Sequence, residues 1–243
     1  MKANLIMIKD KLFNTYNLRV DKAYIITVKG NKASEEHSKA CQDSCNAVSM
    51  PYTVWDAVDA TGGGLVMPEQ LKDDKFFNML KIQDHYMTRG EVACALSHIS
   101  LWYHCATIDQ PIVILEHDAI MVKPFREFKG LNTIFYLGGS EWALQNWPMY
   151  DVPVLASEGP NYRFICRAHA YAIDPFMARN LLAHVIKNGI IAPLDIMMRA
   201  DLFNITHDGL YAYDKNYDKV TDTTIKNRPL GGRTTMRNDD LSN

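Results

Sequence analysis

The chain has 243 residues, 47% of them hydrophobic and 22% charged, with a formal net charge of -2. This length suits one large domain with a sizeable core, and the composition is that of a globular protein. The near-neutral charge excludes a nucleic-acid binder driven by bulk positive charge.

Residues 1–21 read as an N-terminal lead. Its apolar run, Leu5–Ile8, is short and is followed by Lys9, Asp10 and Lys11, so it resembles neither a signal-peptide core nor a membrane span. Five cysteines, Cys41, Cys45, Cys94, Cys105 and Cys166, show no disulfide-like spacing. They fit a reducing compartment. The expected location is cytoplasmic, with peripheral membrane contact still compatible.

Tyr24 to Val28 is β-branched and predicts a first strand. Ser34, followed by Glu35 and Glu36, predicts a helix start with Ser34 as N-cap, running to about Ala47. Cys41 and Cys45 share a face of that helix, but two thiols alone make a poor metal site. Tyr52 to Trp55 is a second strand, leading into Ala57-Val58-Asp59-Ala60. This strand–helix–strand opening is the start of a Rossmann-type sheet. Residues 65–86 read as a loop with one short helix.

Arg89 to about Thr107 has helical periodicity. Val92, Leu96, Ile99 and Tyr103 form one apolar stripe, and Glu91, Ala95, His98 and Trp102 form its neighbour. The buried run Ile112 to Leu115 then predicts a central strand. Glu116, His117 and Asp118 follow at once. Alternation along an extended strand predicts Glu116 and Asp118 on one side and His117 on the other. At the carboxyl end of a parallel strand, two such acids can hold a divalent cation, which can in turn hold a diphosphate.

Thr133 to Leu137 predicts another strand, closing on Gly138-Gly139-Ser140, where a glycine pair permits close backbone approach to a ligand or simply makes a turn. Residues 141–162 are rich in aromatic residues and proline and read as a binding wall. Extended structure is expected from Arg163 to Ile173. A helix follows, with Asp174 as N-cap and Pro175 at its first position, ending at Asn188-Gly189. A shorter helix is expected from about Asp195 through Leu202, and a last strand at Leu210 to Tyr213. Residues 214–243 read as a polar tail, leaving 22–213 as the single folded domain.

Several of these segments carry a resemblance. Arg89-Gly90-Glu91-Val92-Ala93-Cys94-Ala95-Leu96-Ser97-His98-Ile99-Ser100-Leu101-Trp102, followed by the apolar strand and Glu116-His117-Asp118-Ala119, resembles glycosyltransferase family 25. That group includes bacterial lipooligosaccharide and collagen galactosyltransferases. Ala57-Val58-Asp59-Ala60, His169-Ala170-Tyr171-Ala172-Ile173 and Pro193-Leu194-Asp195 resemble further family segments, in the same order. His117 stands where the family usually has a second acid, and the arginines that often follow the family's first strand are missing.

The resemblance implies a GT-A-like fold, an α/β Rossmann-type sheet flanked by helices. It implies a metal-dependent, inverting transfer of galactose or glucose from a UDP-sugar to a glycan, protein-linked or other hydroxyl acceptor, as in lipopolysaccharide biosynthesis. Asp118, Glu116 and, late in the chain, His207 are the expected ligands of Mn2+ or Mg2+. Asp59, Arg89, Glu116 and His169 are expected to bind the donor. Asp195 is expected to be the general base, since inversion needs a carboxylate on the acceptor side. The alternative is a catalytically silent nucleotide-sugar or carbohydrate-binding protein on the same fold. A nucleotidyltransferase ranks last, because Lys29-Gly30-Asn31-Lys32 is a poor phosphate loop.

Overall fold

A computed structural model describes residues 17–62, 64–72, 75–82, 87–140, 156–157, 163–165, 168–206 and 209–215. The elements run in order: β1 (Asn17–Arg19), β2 (Ala23–Thr27), α1 (Lys32–Ala47), β3 (Tyr52–Asp56), α2 (Lys75–Asn78), α3 (Arg89–Ile108), β4 (Ile112–Glu116), β5 (Ala119–Met121), β6 (Glu127–Lys129), β7 (Ile134–Tyr136), β8 (Gly138–Ser140), β9 (Ala156–Ser157), β10 (Arg163–Phe164), β11 (Ala170–Ile173), α4 (Pro175–Asn188), α5 (Leu194–Met197), β12 (Ile205–Thr206) and β13 (Ala212–Asp214). The main sheet has six strands in the order β12-β7-β11-β4-β2-β3. β2 pairs in parallel with both β3 and β4, whereas β11 runs antiparallel to β4 and β7. The architecture is therefore a mixed, Rossmann-like α/β sheet flanked by helices in one domain. Among the described residues, no helix is long and apolar enough to cross a membrane.

Each face of the sheet is covered. On one, α3 and α4 pack over Ile112, Ile114, Tyr171 and Ile173. On the other, α1 covers Ile25, Val113 and Leu115. Residues of β4 thus point alternately into two cores, which is why its sequence is apolar without a break. α3 is buried nearly all round, as two adjacent apolar stripes require.

Three predicted details change. The N-cap of α1 is Asn31, whose side chain accepts from the Ser34 N–H at 3.0 Å. Ser34 lies inside the helix, fully buried, on a stripe of small residues with Ser38, Cys41 and Cys45. That stripe lets the helix sit close to β5, where the Met121 N–H donates to Ser44 Oγ at 2.9 Å. Gly138-Gly139-Ser140 is not a turn but strand β8, parallel to β13 in a small second sheet of order β5-β13-β8. α5 is also shorter than expected, ending at Met197.

Asp174 does cap α4, and does more. Its Oδ1 accepts from the Phe176 and Met177 N–H groups, and its Oδ2 from the Thr133 N–H, at 2.8, 3.1 and 2.9 Å. It is fully buried. Asp174→Ala strips the cap and leaves the Thr133 N–H buried without its acceptor, so stability should fall by about 2–4 kcal/mol. Urea denaturation measures this, and a loss under about 0.5 kcal/mol would contradict the assignment.

Candidate active site

A cavity of about 300 Å³ opens at the carboxyl ends of the parallel strands β2, β3 and β4, where open α/β sheets bind ligands. Its walls come from Ile26 and Val28 at the end of β2, Ala57 to Thr61 after β3, Glu116 and His117 at the end of β4, and residues of α3 and its cap between Thr88 and His98.

α3 organises these walls. Thr88 and Glu91 form a capping box: Thr88 Oγ1 accepts from the Glu91 N–H at 3.2 Å, and Glu91 Oε2 accepts from the Thr88 N–H at 2.8 Å. This closes the helix start and presents Arg89 and Gly90 to the cavity. About two turns further on, Ser97 Oγ accepts from the Val58 N–H at 2.9 Å while donating to the Ala93 carbonyl at 2.7 Å. Ser100 Oγ accepts from the Trp55 indole at 2.8 Å. Two serines of the helix therefore fix β3 and the segment that follows it. Asp59, within that segment, accepts from the Thr61 N–H at 2.7 Å and exchanges backbone hydrogen bonds with Val66. It is a turn-former that also lines the cavity.

β4 stops at Glu116, and His117 and Asp118 form a turn. The alternation expected across these three residues therefore ends at Glu116, and His117 lines the cavity beside it. His117 Nδ1 lies 3.2 Å from Ser34 Oγ, and its ring stacks on His37 at 5.7 Å. Ser34 Oγ also accepts from the Val28 N–H at 2.9 Å, which ties the His117 ring to the end of β2. Burial lowers the His117 pKa, against the pull of the Glu116 and Asp214 carboxylates. Asp118 is half-buried and not among the cavity-lining residues, with its carbonyl accepting from the Lys215 N–H at 3.2 Å.

Glu116 Oε1 is 3.1 Å from His98 Nε2 and 3.6 Å from Cys94 Sγ. Burial pushes the Glu116 carboxyl up, but the His98 hydrogen bond and the nearby His98, His169 and His117 rings outweigh it and bring its pKa down to about 2. Burial also drives the Cys94 thiol well above its ordinary pKa, helped by Glu116, Asp195 and Asp118 in that order. The thiol is thus a hydrogen-bond donor and not a nucleophile. Its surroundings bring Asp195 together with Glu116 and Asp118, nearly eighty residues earlier in the chain. Asp195 occupies the first turn of α5, where Oδ1 accepts from the Ile196 N–H at 2.9 Å.

His169 is not among the cavity-lining residues. Its carbonyl accepts from the Glu116 N–H at 2.8 Å, and its Nε2 accepts from the Gly139 N–H at 3.2 Å. A side chain at Gly138 would come within 2.6 Å of the ring, so glycine is needed there. His207 lies outside the described residues, as do Cys166 and most of the expected 141–162 wall. Cys94 and Ser97 were not singled out as site residues from the sequence, whereas His98 was open to two readings, a buried histidine bonded to backbone or a carboxylate and a ligand contact; it is buried on the Glu116 carboxylate and also lines the cavity. The signal for all three was polarity on a helix otherwise buried on every side, where each polar group needs a partner.

No protein with a curated description matches the chain. A family model described as glycosyltransferase family 25 (LPS biosynthesis protein) matches residues 20–147. The match covers just over half of the chain and includes every wall of the cavity; on that ground, the chain belongs to glycosyltransferase family 25.

Proposed function

We propose that the protein transfers a galactosyl or glucosyl group from a UDP-sugar to a hydroxyl acceptor, with inversion at the anomeric carbon and the help of a divalent cation. The family gives the activity, glycosyl transfer, and by its description a role in lipopolysaccharide biosynthesis. One observation carries the finer reading. Asp59, Arg89 and Glu116, from three separate segments, line one cavity at the ends of three parallel strands.

The acids suit a hard cation. Glu116 is strongly ionised, Asp118 follows two residues later, and carboxylate oxygens are what Mn2+ or Mg2+ prefers. Glu116 and Asp118 would hold it, with His207 as a proposed late ligand. When bound, the cation supplies charge neutralisation to a departing diphosphate. The chain's own residues do the rest. Arg89 neutralises phosphate, and Asp59 orients the nucleoside or sugar. His169 supports the donor site through the Glu116 backbone. Asp195 takes the acceptor hydroxyl's proton as that oxygen bonds to the anomeric carbon and the bond to the diphosphate breaks.

A thermal-shift and UDP-release panel with Mn2+ tests this, using UDP-galactose, UDP-glucose, UDP-N-acetylglucosamine and GDP-sugars. A UDP-hexose at about 100 times its Kd should stabilise the fold by about 2.7 kcal/mol and release UDP. Stabilisation without release, over a range of glycan acceptors, would favour a silent binding protein. Stabilisation by GDP-sugars alone would overturn the donor assignment.

A further inference from the structure

We infer that His98 is a positioning residue that holds the Glu116 carboxylate through a one-way chain of buried hydrogen bonds beginning at Trp102. The Trp102 indole Nε1 lies 2.8 Å from Tyr171 Oη, Tyr171 Oη lies 2.8 Å from His98 Nδ1, and His98 Nε2 lies 3.1 Å from Glu116 Oε1. Trp102, Tyr171 and His98 are at most 1% exposed.

The direction follows from the donor inventory. An indole N–H can only donate, so Tyr171 Oη accepts from it. The phenol hydrogen is then left for His98 Nδ1. Burial holds the phenol well above its ordinary pKa, so that hydrogen stays in place. Nδ1 is therefore the acceptor, and the imidazole proton sits on Nε2, aimed at the carboxylate. The opposite tautomer would leave the buried phenol hydrogen without an acceptor, which folded proteins avoid. The Tyr171 ring stacks on the His98 ring at 5.6 Å with 12° between planes, which fixes the imidazole's tilt.

The consequence falls on one oxygen. Among the described residues, both side-chain contacts of the carboxylate, from His98 and Cys94, are made to Oε1. Oε2 is left for whatever occupies the cavity. His98 thus decides which oxygen belongs to the protein and which to the ligand, in the way buried partners orient ligating carboxylates elsewhere. The same direction argues against a different use of the cluster. Cys94, His98 and Glu116 place one ligand atom each within 4.8 Å of the others, a spacing compatible with zinc. Zinc would need a bare Nε2, which the chain from Trp102 denies.

The inference rests on Glu116 being a donor-site acid, and the test separates the two ideas. In full-length protein labelled with 15N-histidine, two-bond 1H–15N correlations should assign His98 as the Nε2–H tautomer. Tyr171→Phe should abolish that preference. Mn2+ affinity, read by electron paramagnetic resonance, should weaken about 10–100-fold in His98→Leu. His98→Gln, whose amide can still donate to Oε1, should restore it to within a few-fold. An Nδ1–H tautomer in the wild type overturns the inference, whether or not the Leu variant folds. So does unchanged Mn2+ affinity in a folded His98→Leu, or stoichiometric zinc lost on Cys94→Ser. If the wild type binds no Mn2+ and releases no UDP while His98 shows the expected tautomer, the donor-site reading fails and the positioning of Glu116 stands.

Discussion

Glu116→Gln is expected to lower kcat/KM for sugar transfer by about 10²–10³-fold while leaving the fold intact. The amide oxygen can still accept from His98 Nε2 and from the Cys94 thiol, so the contacts at 3.1 and 3.6 Å survive. What is lost is the charge. A large fall in UDP release together with loss of Mn2+ binding would therefore report charge and not packing. Unchanged metal-dependent turnover would sink the role. The same variant carries a pH signature. The folded-state pKa of Glu116 is depressed, to about 2 from an ordinary 4.5. Its ionisation therefore contributes stability that is fully present above about 4.5 and is lost as pH falls towards about 2. Urea denaturation of the wild type should weaken through that window, and the Gln variant should weaken less.

Asp195→Asn is expected to reduce kcat by about 10²–10⁴-fold, the usual range for removing a general base. UDP affinity should stay close to that of the wild type. The residue lies near enough to Cys94 to raise the thiol's pKa, and so near the acids at the end of β4. Its local hydrogen bond, from the Ile196 N–H, is within reach of an asparagine oxygen, so the short helix should persist. Isothermal titration with UDP and Mn2+ beside steady-state kinetics separates the outcomes. Intact UDP binding with lost turnover supports the base. Lost UDP binding would move Asp195 to the donor site or to folding.

Where the chain obeyed one period, its structure was legible. The continuous apolar run of β4, the doubled stripe of α3 and the Asp-Pro start of α4 all formed where expected. The errors arose where tertiary pairing overrode a local signal. Ser34 looked like a cap because acids follow it. Asn31 caps instead, and the serine is drawn inward to hold the Val28 N–H and His117. Gly138 and Gly139 were open to a turn or a close approach to a ligand, yet they form a strand whose missing side chains admit the His169 ring and Leu210. At the site, alternation was projected two residues too far, since nothing local announces that β4 ends at Glu116. Asp59, Arg89 and Glu116 do meet in one cavity. The serines that make them meet were invisible, because a helix serine's partner is chosen by the strand packed on it.

The turn at His117-Asp118 also marks a boundary between sheets. Glu116 ends a strand of the six-stranded sheet, while Asp118 immediately precedes β5 of the small sheet. The small sheet is completed only by β13, with Lys215 closing on the Asp118 carbonyl. Two acids separated by a single residue thus stand at the ends of strands in different sheets. A ligand that engaged both would act as a clasp across the seam. Its arrival would be felt in the slowed amide exchange of β13, almost a hundred residues along the chain from the acids themselves.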